Sequence, residues 1–251
     1  MDTPVTTQQP LLLGQLFTNA WTLFTKHWQS ITVLTLVISV PLNLISALFS
    51  SRAVEATEVM DANFFSGTFS VGLGVTVALL SLAGILIPLG IVAILRADAE
   101  GKQLDFQAAL RQAVSRWGTG LVTSIIMGIL LILLAILLVI PAIIFGVFWA
   151  FALYLVMDRN LVGMAALKES KRIVSGYWWK VFGNILAFGI VSAIVGAVVS
   201  IPFRALPNGV VEMTITATIS SLASSFALVA GYLLYKNLQS LKGAAAAQPK
   251  S

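Results

Sequence analysis

The sequence predicts an all-α polytopic membrane protein with six transmembrane helices, and three observations lead there. Residues 118–157 run without one Asp, Glu, Lys, Arg or His. The composition is 58% hydrophobic and 10% charged, with a mean hydropathy of +0.95, whereas a soluble domain carries about a quarter of its residues charged. The basic residues gather at the ends of the apolar blocks, as membrane proteins place them.

About 20 residues cross the roughly 30 Å of bilayer hydrocarbon. The apolar blocks therefore divide into spans at Trp28–Ser50, Phe69–Leu95, Gly118–Val139, Pro141–Met157, Val181–Ile201 and Val210–Tyr235. The block at 118–157 is too long for one perpendicular helix. Pro141 lacks an amide donor and biases Ile140 away from helical geometry, which predicts a tight hairpin turn there. Pro41 and Pro88 lie inside their spans and read as kinks, with a turn as the alternative.

An amphipathic segment precedes each pair of spans. KQLDFQAALR at 102–111 aligns without a gap with RNLVGMAALK at 159–168, and a weaker match relates Phe17, Ala20, His27 and Trp28 to Phe106, Ala109, Arg116 and Trp117. Leu13, Phe17, Ala20, Trp21 and Phe24 share one helical face, as do Phe106, Leu110, Ala113 and Trp117; in the third segment Leu167, Val174 and Trp178 oppose Lys168, Lys171 and Arg172. This pattern predicts interfacial helices with apolar faces toward the acyl boundary and basic faces toward headgroups. The expected fold is three transmembrane hairpins, each preceded by an interfacial helix. The repeat units are about 11–95, 102–157 and 159–236, within a single domain of residues 1–243 followed by a disordered tail at 244–251.

Charge asymmetry predicts orientation. Lys26, the basic residues of 96–116 and 159–180, and Lys236, Lys242 and Lys250 give thirteen Lys and Arg on one side, against Arg52 and Arg204 on the other. Both termini are expected to be cytoplasmic. Trp21, Trp28, Trp117, Trp178 and Trp179 fall at the same ends of the spans, as interfacial anchors. Arg111, Arg116, Lys168, Lys171, Arg172 and Lys180 are the expected contacts for anionic headgroups. The start of the chain has no basic n-region and does not read as a cleavable signal peptide.

Function classes narrow by exclusion. Zero cysteines remove disulfides, thiolate catalysis and thiolate metal sites, and one histidine, His27, removes a histidine-rich metal centre. The net charge of +5 is spent at segment ends, so no nucleic-acid role is read. No Asp, Glu, Lys, Arg or His sits in the middle of a span, which disfavours a proton-coupled transporter. Glu55, Glu58 and Asp61 read as a solvated loop, and His27 as an amphipathic flank at the interface. No nucleophile with an adjacent base is evident, so no catalytic, metal or cofactor residue is assigned.

The informative side chains are uncharged. Thr32, Thr35, Ser39, Asn43 and Ser46 share one face of the first span, and Thr214, Thr218, Ser221 and Ser225 one face of the sixth. Such stripes let helices approach closely and hydrogen-bond, each contact worth about 0.6 kcal/mol. The sharper alternative is that Thr35, Ser39, Asn43, Thr218, Ser221 and Ser225 line a polar cavity for a neutral solute or a lipid headgroup, with Asn43 as its main contact. The fifth span carries two small-residue stripes, Gly189/Ala193/Ala197 and Ser192/Gly196/Ser200. These suit packing within the bundle better than dimerisation.

The run VMDRNLVGMAALKESKRIVSGYWWKVFGNI at 156–185, preceded by VIPAII at 139–144, resembles the membrane domain that accompanies some glycerophosphoryl diester phosphodiesterases. It is similar also to the related YciC-type bacterial inner-membrane proteins. The resemblance implies six spans, a bacterial inner-membrane location and no assigned reaction for the domain itself. Two functional expectations follow. The first is a non-catalytic scaffold or partner subunit that contacts anionic lipid and holds another membrane protein or a second copy. The alternative is a transporter or channel for a neutral or amphiphilic solute through a hydroxyl-lined cavity.

Overall fold

A computed structural model describes residues 12–59, 82–206 and 209–247, and side chains for all of these except 52–59 and 245–247. Among the described residues the chain forms nine α-helices and no strand: α1 (Leu13–Lys26), α2 (Trp28–Val59), α3 (Leu86–Ala99), α4 (Phe106–Leu137), α5 (Val139–Phe148), α6 (Ala152–Arg159), α7 (Met164–Val174), α8 (Trp178–Ser200) and α9 (Gly209–Ala247). A 3-10 turn at Ile201–Ala205 follows α8. Six stretches are long and apolar enough to cross a membrane, namely Trp28–Ser51, Leu82–Ala99, Phe106–Leu137, Val139–Arg159, Trp178–Ala205 and Gly209–Ala244. The part of the second span expected at 69–81 lies outside the described residues, and its helix runs on to Ala99 rather than stopping at Leu95.

Proline sets two of the boundaries, in a way the sequence alone misplaces. The turn expected at Pro141 is instead at Leu138, whose extended backbone (φ −162°, ψ 135°) separates α4 from α5. Pro141 occupies the third position of α5, where a missing N–H costs no intrahelical bond. Pro88 repeats the arrangement: it is the third residue of α3, just after a break at Ile85. Its ring excludes the carbonyl four residues back, so the interruption falls upstream of the proline and not at it. Pro41, by contrast, lies within the continuous helix α2.

The three amphipathic segments take three different forms. The first, α1, is set off from α2 by His27 alone and folds back onto α8 and α9. Phe226 of α9 stands at the centre of that contact, with ring centroids 5.3 Å from Phe17, 6.1 Å from Trp21 and 5.9 Å from Phe24. The second is no separate helix, because α4 runs unbroken for 32 residues from Phe106, capped by the Asp105 carboxylate on the Ala108 N–H. At 1.5 Å per residue it is about 48 Å long, more than the hydrocarbon thickness. The third, α7, is a separate helix, yet Ala166, Leu167, Ile173 and Val174 are at most 1% exposed. Protein covers that apolar face, correcting the expectation that it meets the acyl chains. The chain enters α7 through Gly163 at φ +56°, whose N–H donates to Thr123 Oγ1 at 2.8 Å.

The core is built on α3 and α9. Leu89, Ile91 and Ile94 of α3 and Val229, Ala230, Tyr235 and Leu238 of α9 are fully buried. Helix α9 packs along α2 and α8 and touches α1, α3 and α7, while α3 is flanked by α2, α4 and α6.

The fourth apolar stretch is discontinuous, because helix α5 ends at Phe148 and α6 begins at Ala152. Ser170, on the buried face of α7 and fully enclosed, spans the gap: its hydroxyl donates to the Phe148 carbonyl at 2.7 Å and accepts from the Phe151 N–H at 3.2 Å. One side chain thus satisfies a donor and an acceptor that no water-free apolar core could leave open. Ser170→Ala removes both bonds and leaves both groups desolvated, a loss of about 1–3 kcal/mol. Thermal unfolding in lipid nanodiscs should show a lowered Tm for Ser170→Ala and no shift for Ser240→Ala, at an exposed site.

Candidate functional site

The hydroxyl stripes of α2 and α9 face each other, as their periodicity allows. Thr35 Oγ1 lies 2.9 Å from Ser225 Oγ, and Asn43 Nδ2 donates to Thr218 Oγ1 at 3.2 Å. Register advances on one helix as it recedes on the other, so the pair is antiparallel. Thr35, Ser39, Thr218 and Ser225 are all at most 7% exposed. The hydroxyls of Thr218, Ser221 and Ser225 also donate back to carbonyls four residues earlier. These contacts run along the α2–α9 seam, where the sequence allowed either helix association or a polar cavity. Ser39 Oγ is buried in the seam without a partner.

A cavity lies on another face of α9. It has a volume of about 640 Å³ and lies between α3, the break preceding α6, α8 and α9. Pro88, Phe151, Tyr154, Asn184, Phe188 and the serines 220, 221 and 224 contribute to its walls. Of the six stripe residues singled out from sequence, Ser221 alone borders it. Its size is that of small-molecule sites, and its lining is mostly apolar. Asn184 is the residue that sequence reasoning missed. The one carboxamide of α8, six residues beyond Trp178, was the available signal.

One end of the bundle is tied by ion pairs. Asp98 of α3 meets Lys26 and lies 2.9 Å from His27 Nε2, so His27 is part of a charged junction and not a loose interfacial flank. Arg96 donates to the Met157 carbonyl at 3.1 Å, linking α3 to α6. Asp158, with a side chain only 7% exposed, accepts from Tyr235 at 2.6 Å and pairs with Lys236 at 2.8 Å, linking α6 to α9. Glu169 of α7 pairs with Arg159 and Arg172; the Arg172 hydrogen bonds hold its carboxyl below the usual carboxylate range. The start of α2 and the ends of α3, α6 and α9 are thereby brought to one end of the molecule.

The expected headgroup residues divide. Arg172 is engaged by Glu169, and Lys171 sits 5.3 Å over the Phe145 ring and 5.7 Å over that of Phe148. Arg111, Lys168 and Lys180 are exposed and make no ion pair among the described residues; Arg116 is half-buried. The tryptophans divide too. Trp21, Trp28 and Trp179 are 56%, 53% and 77% exposed. Trp117 and Trp178 instead donate their indole N–H to the carbonyls of Leu82 (3.0 Å) and Ile144 (3.1 Å), so they brace the bundle.

On α8 the two small-residue stripes part company. Ser192 donates to the Ala223 carbonyl at 3.1 Å, and a Cβ on Gly196 would stand 3.3 Å from Ser220 Oγ, so this stripe packs on α9. Gly189, Ala193 and Ala197 are exposed. Glu55 and Glu58, expected in a loop, fall in the last turns of α2; Asp61 lies outside the described residues. No group of three His, Cys, Asp or Glu side chains converges among the described residues.

Comparison of the chain with protein-family models, curated proteins and solved structures finds no match.

If the stripes are a seam, Thr35→Val and Ser225→Ala should each destabilise mildly and non-additively. A double-mutant cycle read by unfolding in nanodiscs is expected to give a coupling of about 0.6 kcal/mol, and not above about 1.7. A coupling of zero with undiminished stability in both single variants would place the two hydroxyls apart.

Proposed function

We propose that this chain is a non-catalytic scaffold or partner subunit of a bacterial inner (cytoplasmic) membrane. It has both termini in the cytoplasm, contacts anionic lipid on that side, and holds a membrane-protein partner or a second copy. The observation that carries the reading is the α2–α9 seam. Thr35, Asn43, Thr218 and Ser225, which alternatively would line a solute path, meet one another across it. The exposed Ala193 and Ala197 offer close approach to another helix, and Arg111, Lys168 and Lys180 stand free for headgroups. The run at 156–185 and its resemblance to the phosphodiesterase-associated and YciC-type membrane domains agree with a membrane module that has no reaction of its own.

The second reading, passage of a neutral or amphiphilic solute, is favoured by one observation, the cavity beside the broken fourth stretch. Extraction in native lipids with a polymer, followed by mass spectrometry against an unrelated six-span control, separates the two. A stoichiometric protein partner is the expected result; a specifically enriched small molecule without a protein partner would favour the second reading.

The lipid contacts and orientation have their own tests. Replacing Arg111, Lys168 and Lys180 with glutamine should weaken retention of anionic lipid by about 1 kcal/mol per charge, and less as salt rises. Unchanged retention in the triple variant removes the headgroup role. Topology reporters at Gly101, Asn160 and Gln248 should report the cytoplasm and one at Ser66 the opposite side; a single reversed reporter breaks the six-span orientation.

A further inference from the structure

We propose that the polar groove between the α1–α2 corner and the start of α4 binds the headgroup of a zwitterionic bilayer phospholipid. Its phosphate diester would meet Lys26 and its primary ammonium Asp105. The inference rests on the membrane spans and not on the scaffold role, and the groove shares no residue with the Arg111, Lys168 and Lys180 surface.

The groove lies between residues 25–30 on one side and 103–108 on the other, with a volume of about 540 Å³. That is within the range of small-molecule sites. Unlike the cavity on α9, most of its lining residues are polar, and charged side chains are among them. Its depth follows from Trp28, which opens the first apolar stretch and is 53% exposed. A tryptophan so placed marks the level of the headgroups.

The two sides of the groove carry opposite charge. On one side the Lys26 side chain is 57% exposed and gives one of its three N–H donors to Asp98. The other two remain for a ligand, and the positive end of the α2 dipole starts on the same side, at Trp28. A singly charged phosphate diester complements that side. His27 Nε2 is buried beside Asp98 and is not offered to the groove.

On the other side stands Asp105, which is exposed. Its Oδ1 accepts from the Ala108 N–H at 2.9 Å, and its Oδ2 has no donor among the described residues. A primary ammonium brings N–H groups to that oxygen, whereas a quaternary one has none. A purely anionic headgroup would satisfy Lys26 and leave the Asp105 carboxylate facing charge of its own sign. Exposed Gln29 and Gln103, one from each side, can donate or accept and suit the ester oxygens between the two charges.

The test counts lipids retained by the delipidated full chain, by native mass spectrometry, with phosphatidylethanolamine and phosphatidylcholine of identical acyl chains as probes. The ethanolamine lipid should be retained about fivefold better, which corresponds to about 1 kcal/mol for one charge pair. Asp105→Asn should abolish that preference without lowering Tm, because asparagine caps a helix as well as aspartate does. Lys26→Gln should lower retention of the ethanolamine lipid about fivefold, and serves as the second variant should Asp105→Asn fold poorly. Replacing Arg111, Lys168 and Lys180 with glutamine should leave the preference intact, so failure of the anionic-lipid contacts and failure of this site read differently. Equal retention of the two lipids, a preference unchanged in Asp105→Asn, full retention in Lys26→Gln, or loss of the preference in the triple variant would each overturn the proposal. Full displacement of the lipid by equimolar water-soluble glycerophosphoethanolamine would overturn the bilayer as the source of the headgroup.

Discussion

Hydrocarbon neither donates nor accepts hydrogen bonds, and this structure is arranged around that fact. Wherever a helix is interrupted or a polar side chain enters an apolar stretch, a partner is supplied from within the chain. The break before α6 is bridged by the Ser170 hydroxyl. The Leu82 carbonyl, beside the interruption upstream of Pro88, accepts from the Trp117 indole. Thr35 and Asn43 of α2 find their complements in Ser225 and Thr218 of α9. The same requirement makes the exceptions informative. Ser39 Oγ, Asn184 Oδ1 and Tyr232 Oη are buried without a hydrogen-bond partner among the described residues.

Cohesion comes from two sources at different heights of the bundle. Along the helices, close packing of aliphatic side chains around α3 and α9 does most of the work, with the hydroxyl seam setting register. At the charged end, Asp98, Asp158 and Glu169 each join two elements and gather α1, α3, α6, α7 and α9 into one junction. Those carboxylates each have a basic partner, so the end neutralises part of its own charge and leaves Arg111, Lys168 and Lys180 to face outward. The aromatic cluster around Phe226 then holds α1 against the bundle, where an isolated amphipathic helix would have lain on the lipid.

Hydropathy carried the six apolar stretches, because chain length against bilayer thickness is a strong constraint, and spacings of three and four put the two hydroxyl stripes on faces that do meet. Sequence reasoning stopped where a single residue depends on a distant one. The break at 149–151 has no proline or glycine of its own; Ser170, nineteen residues beyond Phe151, is what stabilises it. Pro141 was visible, but its steric effect falls at Leu138 and not at its own position. The second amphipathic segment has the same periodicity as the first and third, and nothing local says that it continues straight into α4. Polar side chains mark both α2 and α9, and Thr35, Asn43, Thr218 and Ser225 meet there, whereas a cavity lies beside a face marked by Asn184 and three serines.

The central claim is that α2 and α9 are joined antiparallel in one register by their polar stripes. The chain's lack of cysteine makes that register directly measurable by pairwise cysteine cross-linking in native membranes. Thr35 and Ser225 hydroxyl oxygens 2.9 Å apart, and Asn43 Nδ2 3.2 Å from Thr218 Oγ1, put the two helices within reach of a disulfide at both levels. The account predicts rapid oxidation to a disulfide for Thr35→Cys with Ser225→Cys and for Asn43→Cys with Thr218→Cys, and none for Thr35→Cys with Thr218→Cys. Cross-linking of the offset pair, or of neither matched pair, would contradict it.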